Sequence, residues 1–124
     1  MAMKFQLTKL DYTPEIQDLI WLDFDPATGH EIKKRRPALV LSSSGYSHVS
    51  KLAVVTPITH ANRNAQMQTG FMIPLSSTLP VDGYINPLQF YTLDFRQRKA
   101  TYITTLDDST FILVRQRIQE ILNF

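Results

Sequence analysis

Short strand-like segments follow one another along most of this chain, and one amphipathic helix closes it. That order constrains the fold more than any other feature. Residues 18–24 (Asp-Leu-Ile-Trp-Leu-Asp-Phe) alternate so that Ile20, Leu22 and Phe24 share one face, with Trp21 turned away from them. Residues 37–42 (Pro-Ala-Leu-Val-Leu-Ser) read as a strand apolar on both faces, and Pro37, which has no backbone donor, suits its first position. A third strand opens at Lys51 and runs through Leu52, Ala53, Val54, Val55 and Thr56, where Pro57 predicts an edge or a bulge. Residues 70–75, Tyr84 with Ile85 after an Asp82-Gly83 turn, residues 88–93 and residues 100–103 are further short strands. Asp107, Asp108 and Ser109 then offer helix caps and acidic charge at the amide end of a helix. Phe111, Val114, Ile118, Ile121 and Leu122 recur on one side of it as core, and Arg115, Gln116, Gln119 and Glu120 cover the other. The expected fold is mainly β (α+β): a small curled sheet or barrel with a C-terminal helix packed on it.

The length of 124 residues fits one domain, with residues 1–15 a short, loosely attached leader and residues 16–124 the folded unit. A hydrophobic share of 44% against 19% charged residues supports a packed core. There is no cysteine, which excludes disulfides and thiolate chemistry and fits a reducing compartment. No apolar run approaches the roughly 20 residues of a membrane span, and the start of the chain lacks the form of a signal peptide, so a cytoplasmic protein without a membrane partner is expected. Net charge is only +2, but the basic residues cluster at Lys33, Lys34, Arg35 and Arg36, at Arg96, Arg98 and Lys99, and at Arg115 and Arg117. Such clusters fit either a phosphate-bearing partner or an ordinary solvated surface.

Several machineries are missing from the chain. It has no Gly-rich phosphate loop, no dinucleotide fingerprint and no Gly-x-Ser-x-Gly elbow, and Ser42-Ser43-Ser44 reads as a strand end. His30, His48 and His60 match no strong metal spacing, and Asp25 of the Asp23/Asp25 pair is accounted for by a turn with Pro26, so neither a metal nor a cofactor is expected. The connection from Gly29 to Pro37 is more informative. It sets the carboxylate of Glu31 and the guanidinium of Arg36 five positions apart within a connection of roughly a dozen residues between two strands, longer than an ordinary hairpin loop. Arg offers a planar fork to phosphate, and Glu accepts a proton. RNA brings its own nucleophile, the 2′-hydroxyl, so its cleavage needs a base, a cation on the phosphate and a donor for the leaving oxygen.

These residues also carry a resemblance. The stretch from Asp18 through Trp21, Asp25-Pro26, Gly29-His30-Glu31 to Arg36-Pro37 and the apolar strand ending at Ser42 resembles the MazF/PemK family of toxin endoribonucleases. The likeness continues through Thr56-Pro57-Ile58-Thr59, residues 70–75 and, more loosely, Leu88-Gln89 to Asp94, and covers roughly residues 16 to 122. It implies an SH3-like barrel with a C-terminal helix, a homodimer, and metal-independent cleavage of single-stranded RNA to a 2′,3′-cyclic phosphate and a 5′-hydroxyl. It also implies a cognate antitoxin that occludes the RNA groove, with DNA engaged only indirectly through the antitoxin complex.

On the same footing Glu31 is the base or orienting carboxylate, Arg36 contacts the scissile phosphate and can act as acid, and Thr59 is a hydroxyl donor to that phosphate. Gln89 lines the RNA groove. Read from the residues alone, His30 either assists acid–base work or positions the loop, His60 either faces the groove or is an ordinary exposed loop histidine, and Lys34 and Arg35 steer RNA by a salt-sensitive attraction. Where the family usually has Arg or Lys two residues after the glutamine, this chain has Tyr91, whose ring stacks on a base where a cation would hold phosphate. Ile32 stands where Gln is common. The rival reading is a small β-barrel that binds nucleic acid or peptide without chemistry.

Overall fold

The structure is a computed structural model and describes residues 12–24, 35–60 and 69–123. Its elements in order are β1 (Asp18–Asp23), β2 (Arg35–Val40), α1 (Ser44–Ser50), β3 (Ala53–Thr59), β4 (Ile73–Pro74), β5 (Tyr84–Ile85), β6 (Tyr91–Leu93), β7 (Thr101–Thr105) and α2 (Asp108–Leu122). The strands form an antiparallel sheet in the order β4-β5-β3-β2-β1-β7, with β6 added on β3. The sheet curls into a half-barrel, and α2 closes one side, as the run of strands before one helix predicts.

Alternation along β1 and β2 divides the core into two layers. Ile20, Leu22, Ala38 and Val40 point inward and meet Ala53, Val55, Leu93, Phe95 and Ala100. The opposite faces send Leu19 and Leu39 against Ile58, Ile85, Leu106, Phe111 and Val114, so the two-sided apolar character of β2 is satisfied by the barrel interior on one side and α2 on the other. Leu122 departs from the expectation of a buried helix stripe: it is 46% exposed as the last residue of α2.

Pro57 sits inside β3, which runs three residues further than the sequence suggests. It marks a fork. Before it, Ala53, Val54 and Val55 pair with β6; after it, Ile58 and Thr59 pair with β5. A residue without an N–H is tolerated where one partner strand leaves and another arrives. The Pro57 carbonyl accepts from the Asn86 backbone N–H at 3.0 Å. The buried Thr56 hydroxyl donates to the Asn86 carbonyl.

Helix α1 is the one described element the sequence reading lacks. Ser43, placed there in a strand end, instead caps α1 by accepting from the Tyr46 N–H at 3.2 Å, and Lys51 ends the helix in the left-handed region at φ 65°. Seven residues with Gly45 inside and Val49 84% exposed leave no apolar period to detect.

Of the proposed leader, residues 1–11 lie outside the described residues. The part that is described is tied down: Pro14 is buried, Tyr12 packs on the inner core and donates to Asp18 at 2.6 Å, and Glu15 accepts from the Ser44 N–H at 2.8 Å. Burial pushes the Asp18 carboxyl above the usual aspartate range, against the lowering effect of the bonds from Tyr12 and the Glu15 N–H. The amides of Ser44 and Ile16 hold Glu15 below its usual range.

Candidate active site

Strand register decides what shares the concave face. Leu22 of β1 lies opposite Arg36, and Ala38 of β2 lies opposite Pro57. The β2–β3 ladder ends at that pair, and Thr59, two residues on, pairs with Tyr84 of β5, while Arg36 shares the face of Leu22 and Ala38. Arg36 therefore ends the inward row that begins with Val40 and Ala38, and it emerges where the apolar interior opens to solvent. There an open groove of about 380 Å³ is lined by Phe24, Arg36, Pro57, Gln89, Tyr91 and Arg98, with Thr92 and Leu93. Among the described residues Arg36 forms no salt bridge.

The groove wall has an aromatic part and a polar part. The rings of Phe24 and Tyr91 meet edge to face with centroids 5.5 Å apart, and Tyr91 is 41% exposed. Arg98 donates to the Phe24 carbonyl at 2.7 Å and to the Asp23 carbonyl at 3.3 Å, which anchors the end of β1. Its own position comes from a tight turn in which the Asp94 carboxylate accepts from the Arg96 and Gln97 N–H groups. Sequence reasoning saw Arg98 only as part of a basic cluster. The Asp94 turn was the available local sign that the cluster is a fixed corner.

Arg35 does something different from its neighbour. Its guanidinium donates to Asp23 at 2.9 Å, to the Lys99 carbonyl at 2.8 Å and to the Thr101 hydroxyl at 3.0 Å, which binds β2 to β1 and to the start of β7. It does not line the groove. Thr59 is half-buried at the end of β3, and exposed His60 follows it; neither is among the groove-lining residues. Gly83, at φ +127°, packs against the Thr59 carbonyl so closely that a Cβ there would lie 2.7 Å from it. His30, Glu31 and Lys34 lie outside the described residues. The structure thus brings Arg36, Gln89 and Tyr91 to one groove and leaves Thr59 at the end of β3, paired with Tyr84 of β5. Among the described residues no three His, Asp or Glu side chains group as metal ligands.

The arrangement suits an extended anion with planar appendages: a cation at the mouth, an aromatic wall, and a carboxamide between them. Comparison with known proteins leads to the same chemistry. Residues 15–122 match the family described as PemK-like, MazF-like toxin of type II toxin-antitoxin system. The chain is 31% identical over 111 residues to the Escherichia coli K12 endoribonuclease toxin MazF, covering 90% of this chain and 96% of that protein. It is 32% identical over 107 residues to the endoribonuclease toxin ChpB of the same strain, covering 85% and 90%. Among solved structures, a MazE–MazF crystal structure from Deinococcus radiodurans (Form-II) superposes with a TM-score of 0.81 at 32% identity, over 92% of this chain and 99% of that one.

Proposed function

The chain belongs to the PemK-like, MazF-like toxin family of type II toxin-antitoxin systems, and from that premise we propose that it is an endoribonuclease toxin that cuts single-stranded RNA. The observation that carries the reading is Arg36, exposed in the groove that Gln89 and Tyr91 also line.

In the proposed reaction Glu31 takes the proton from a ribose 2′-hydroxyl. The 2′-oxygen forms a bond to the adjacent phosphorus, the bond from phosphorus to the 5′-oxygen breaks, and the leaving oxygen takes a proton from Arg36 acting as acid, which the proton held by Glu31 restores through solvent. The products are a 2′,3′-cyclic phosphate and a 5′-hydroxyl. Arg36 holds the phosphate through its fork and supplies positive charge where negative charge develops, and Thr59 adds a hydroxyl donor. Each group of this kind contributes on the order of 10²–10⁴ in rate. None of these steps calls on a metal. His30, Lys34 and His60 border the RNA path in this reading, and the Tyr91 ring gives a base something to stack on.

The partners we infer are single-stranded RNA, an antitoxin protein that blocks the groove, and a second copy of the chain, with DNA reached only through the antitoxin complex. The family assignment and the pairing of MazE with MazF in the similar crystal structure support an antitoxin. The apolar groove lined by Ile16, Leu41, Val54, Phe90, Ile118 and Leu122 is where we seat the second copy. The cytoplasm is the proposed compartment; among the described residues no helix is long and apolar enough to cross a membrane.

The test is incubation of the purified protein with single-stranded RNA in EDTA, followed by analysis of the product ends. Cyclic phosphate and 5′-hydroxyl ends are expected. RNA that is retained on a filter yet stays intact under all conditions would overturn the reading in favour of a binding module.

A further inference from the structure

Asn86 is fully buried, and the sequence reading assigns it no role. Its backbone is pinned to β3 on both sides, its N–H donating to Pro57 and its carbonyl accepting from the Thr56 hydroxyl. Two contacts of its carboxamide fix its direction. The Leu88 backbone N–H lies 3.1 Å from one end and the Gln89 side chain 3.3 Å from the other.

Donor polarity along this chain of contacts is forced. A backbone N–H only donates, so the end of Asn86 facing Leu88 is the oxygen. The other end is then the amino group, which also only donates. Gln89 must therefore turn its carbonyl oxygen toward Asn86, which leaves its own amino group for the groove that Gln89 lines. Tyr91, two residues on, lines the same groove with an exposed ring, and in the proposed function the phosphate goes to Arg36.

We propose that Asn86 is a positioning residue that orients Gln89 to offer hydrogen-bond donors to the groove. The enzyme then favours, at one position of its cleavage site, a base presenting a keto oxygen (uracil or guanine) over one presenting an amino group (cytosine or adenine). The inference rests on the reading of the groove as an RNA site. One hydrogen bond gained against one amino group left facing another corresponds to about tenfold in discrimination.

Two measurements test it. In the free protein, side-chain amide NMR should show slowly exchanging Asn86 amino protons and rapidly exchanging Gln89 amino protons; equal, fast exchange of both overturns the orientation. This holds whether or not the protein cuts RNA, so a wild type inactive on every RNA defeats the enzyme reading alone. The second measurement is the cleavage-site profile on a randomised RNA pool. Wild type should show the keto preference at one position, Asn86→Leu should relax it, and Gln89→Glu should invert it, because a carboxylate accepts from Asn86 and from the base at once. A folded Asn86→Leu variant with an unchanged profile, or a uniform loss of cutting over all sequences, overturns the proposal. Should Asn86→Leu not fold, retention of the keto preference by Gln89→Glu does the same.

Discussion

Arg35 and Arg36 are neighbours in the chain, yet their guanidinium groups serve opposite faces of β2. Arg35 is bonded to Asp23, Lys99 and Thr101, and Arg36 opens into the groove. Their alanine variants should separate stability from activity. Arg36→Ala should lose on the order of 10²-fold or more in RNA cutting, with thermal stability changed by less than about 0.5 kcal/mol. Arg35→Ala strands the buried Asp23 carboxylate and should cost about 1–3 kcal/mol, reduced from a fully buried pair because the Arg35 side chain is 35% exposed. Denaturant unfolding and cleavage rates on the two proteins check this, and equal loss of stability in both would refute it.

Gly83 is where the turn before β5 meets Thr59. Any side chain there carries both a positive φ and a clash with the Thr59 backbone carbonyl. Gly83→Ala should destabilise the protein by about 1–3 kcal/mol. It should also lower cutting at temperatures where the variant is still folded, since the end of β3 must shift. Circular dichroism melts beside rates measured below the transition distinguish the two effects.

Ser47 is buried in α1, and its hydroxyl is the buried side-chain polar atom without a hydrogen-bond partner among the described residues. Ser47→Ala removes that group and raises helix propensity, so it should stabilise by about 1 kcal/mol. A rise in melting temperature of a few degrees is expected; a fall would show that the hydroxyl has a partner in solution.

Asp107 caps α2 by accepting from the Thr110 hydroxyl, the Ser109 hydroxyl and the Thr110 N–H. Those bonds hold its carboxyl below the usual aspartate range. The stabilisation is therefore complete above the ordinary carboxylate pKa and fades as pH falls through the lower folded value. Asp107→Ala should cost about 0.5–2 kcal/mol at pH 7. The gap between variant and wild type should narrow on acidification, read from urea unfolding across pH. A gap that widens in acid contradicts the assignment.

Leu122 tests the proposed dimer. A charge at this exposed edge of the apolar groove should leave the fold intact and shift sedimentation from dimer toward monomer. A wild-type protein that sediments as a monomer at all concentrations removes this seat for a second copy.

Much of this molecule is local in origin and so is present in the sequence itself. Period-two alternation marks β1, a two-sided apolar run marks β2 although the strand begins two residues earlier than that run, the acidic cap and 3.6-residue spacing mark α2, and the family match runs over residues 15–122. What only the tertiary structure decides is non-local. Alternation puts Arg35 and Arg36 on opposite faces, but pairing with β1 and β3 determines which face becomes the groove. Pro57 signals an interruption, yet its use as a fork depends on β5 and β6 arriving from some thirty residues away along the chain. Asn86 looks like any turn residue, its amide polarity set locally by the Leu88 N–H, until its backbone bonds to Pro57 and Thr56 bury it against β3. Which face of the barrel residues 86–91 present to the groove comes from contacts between segments, which no single stretch of chain encodes.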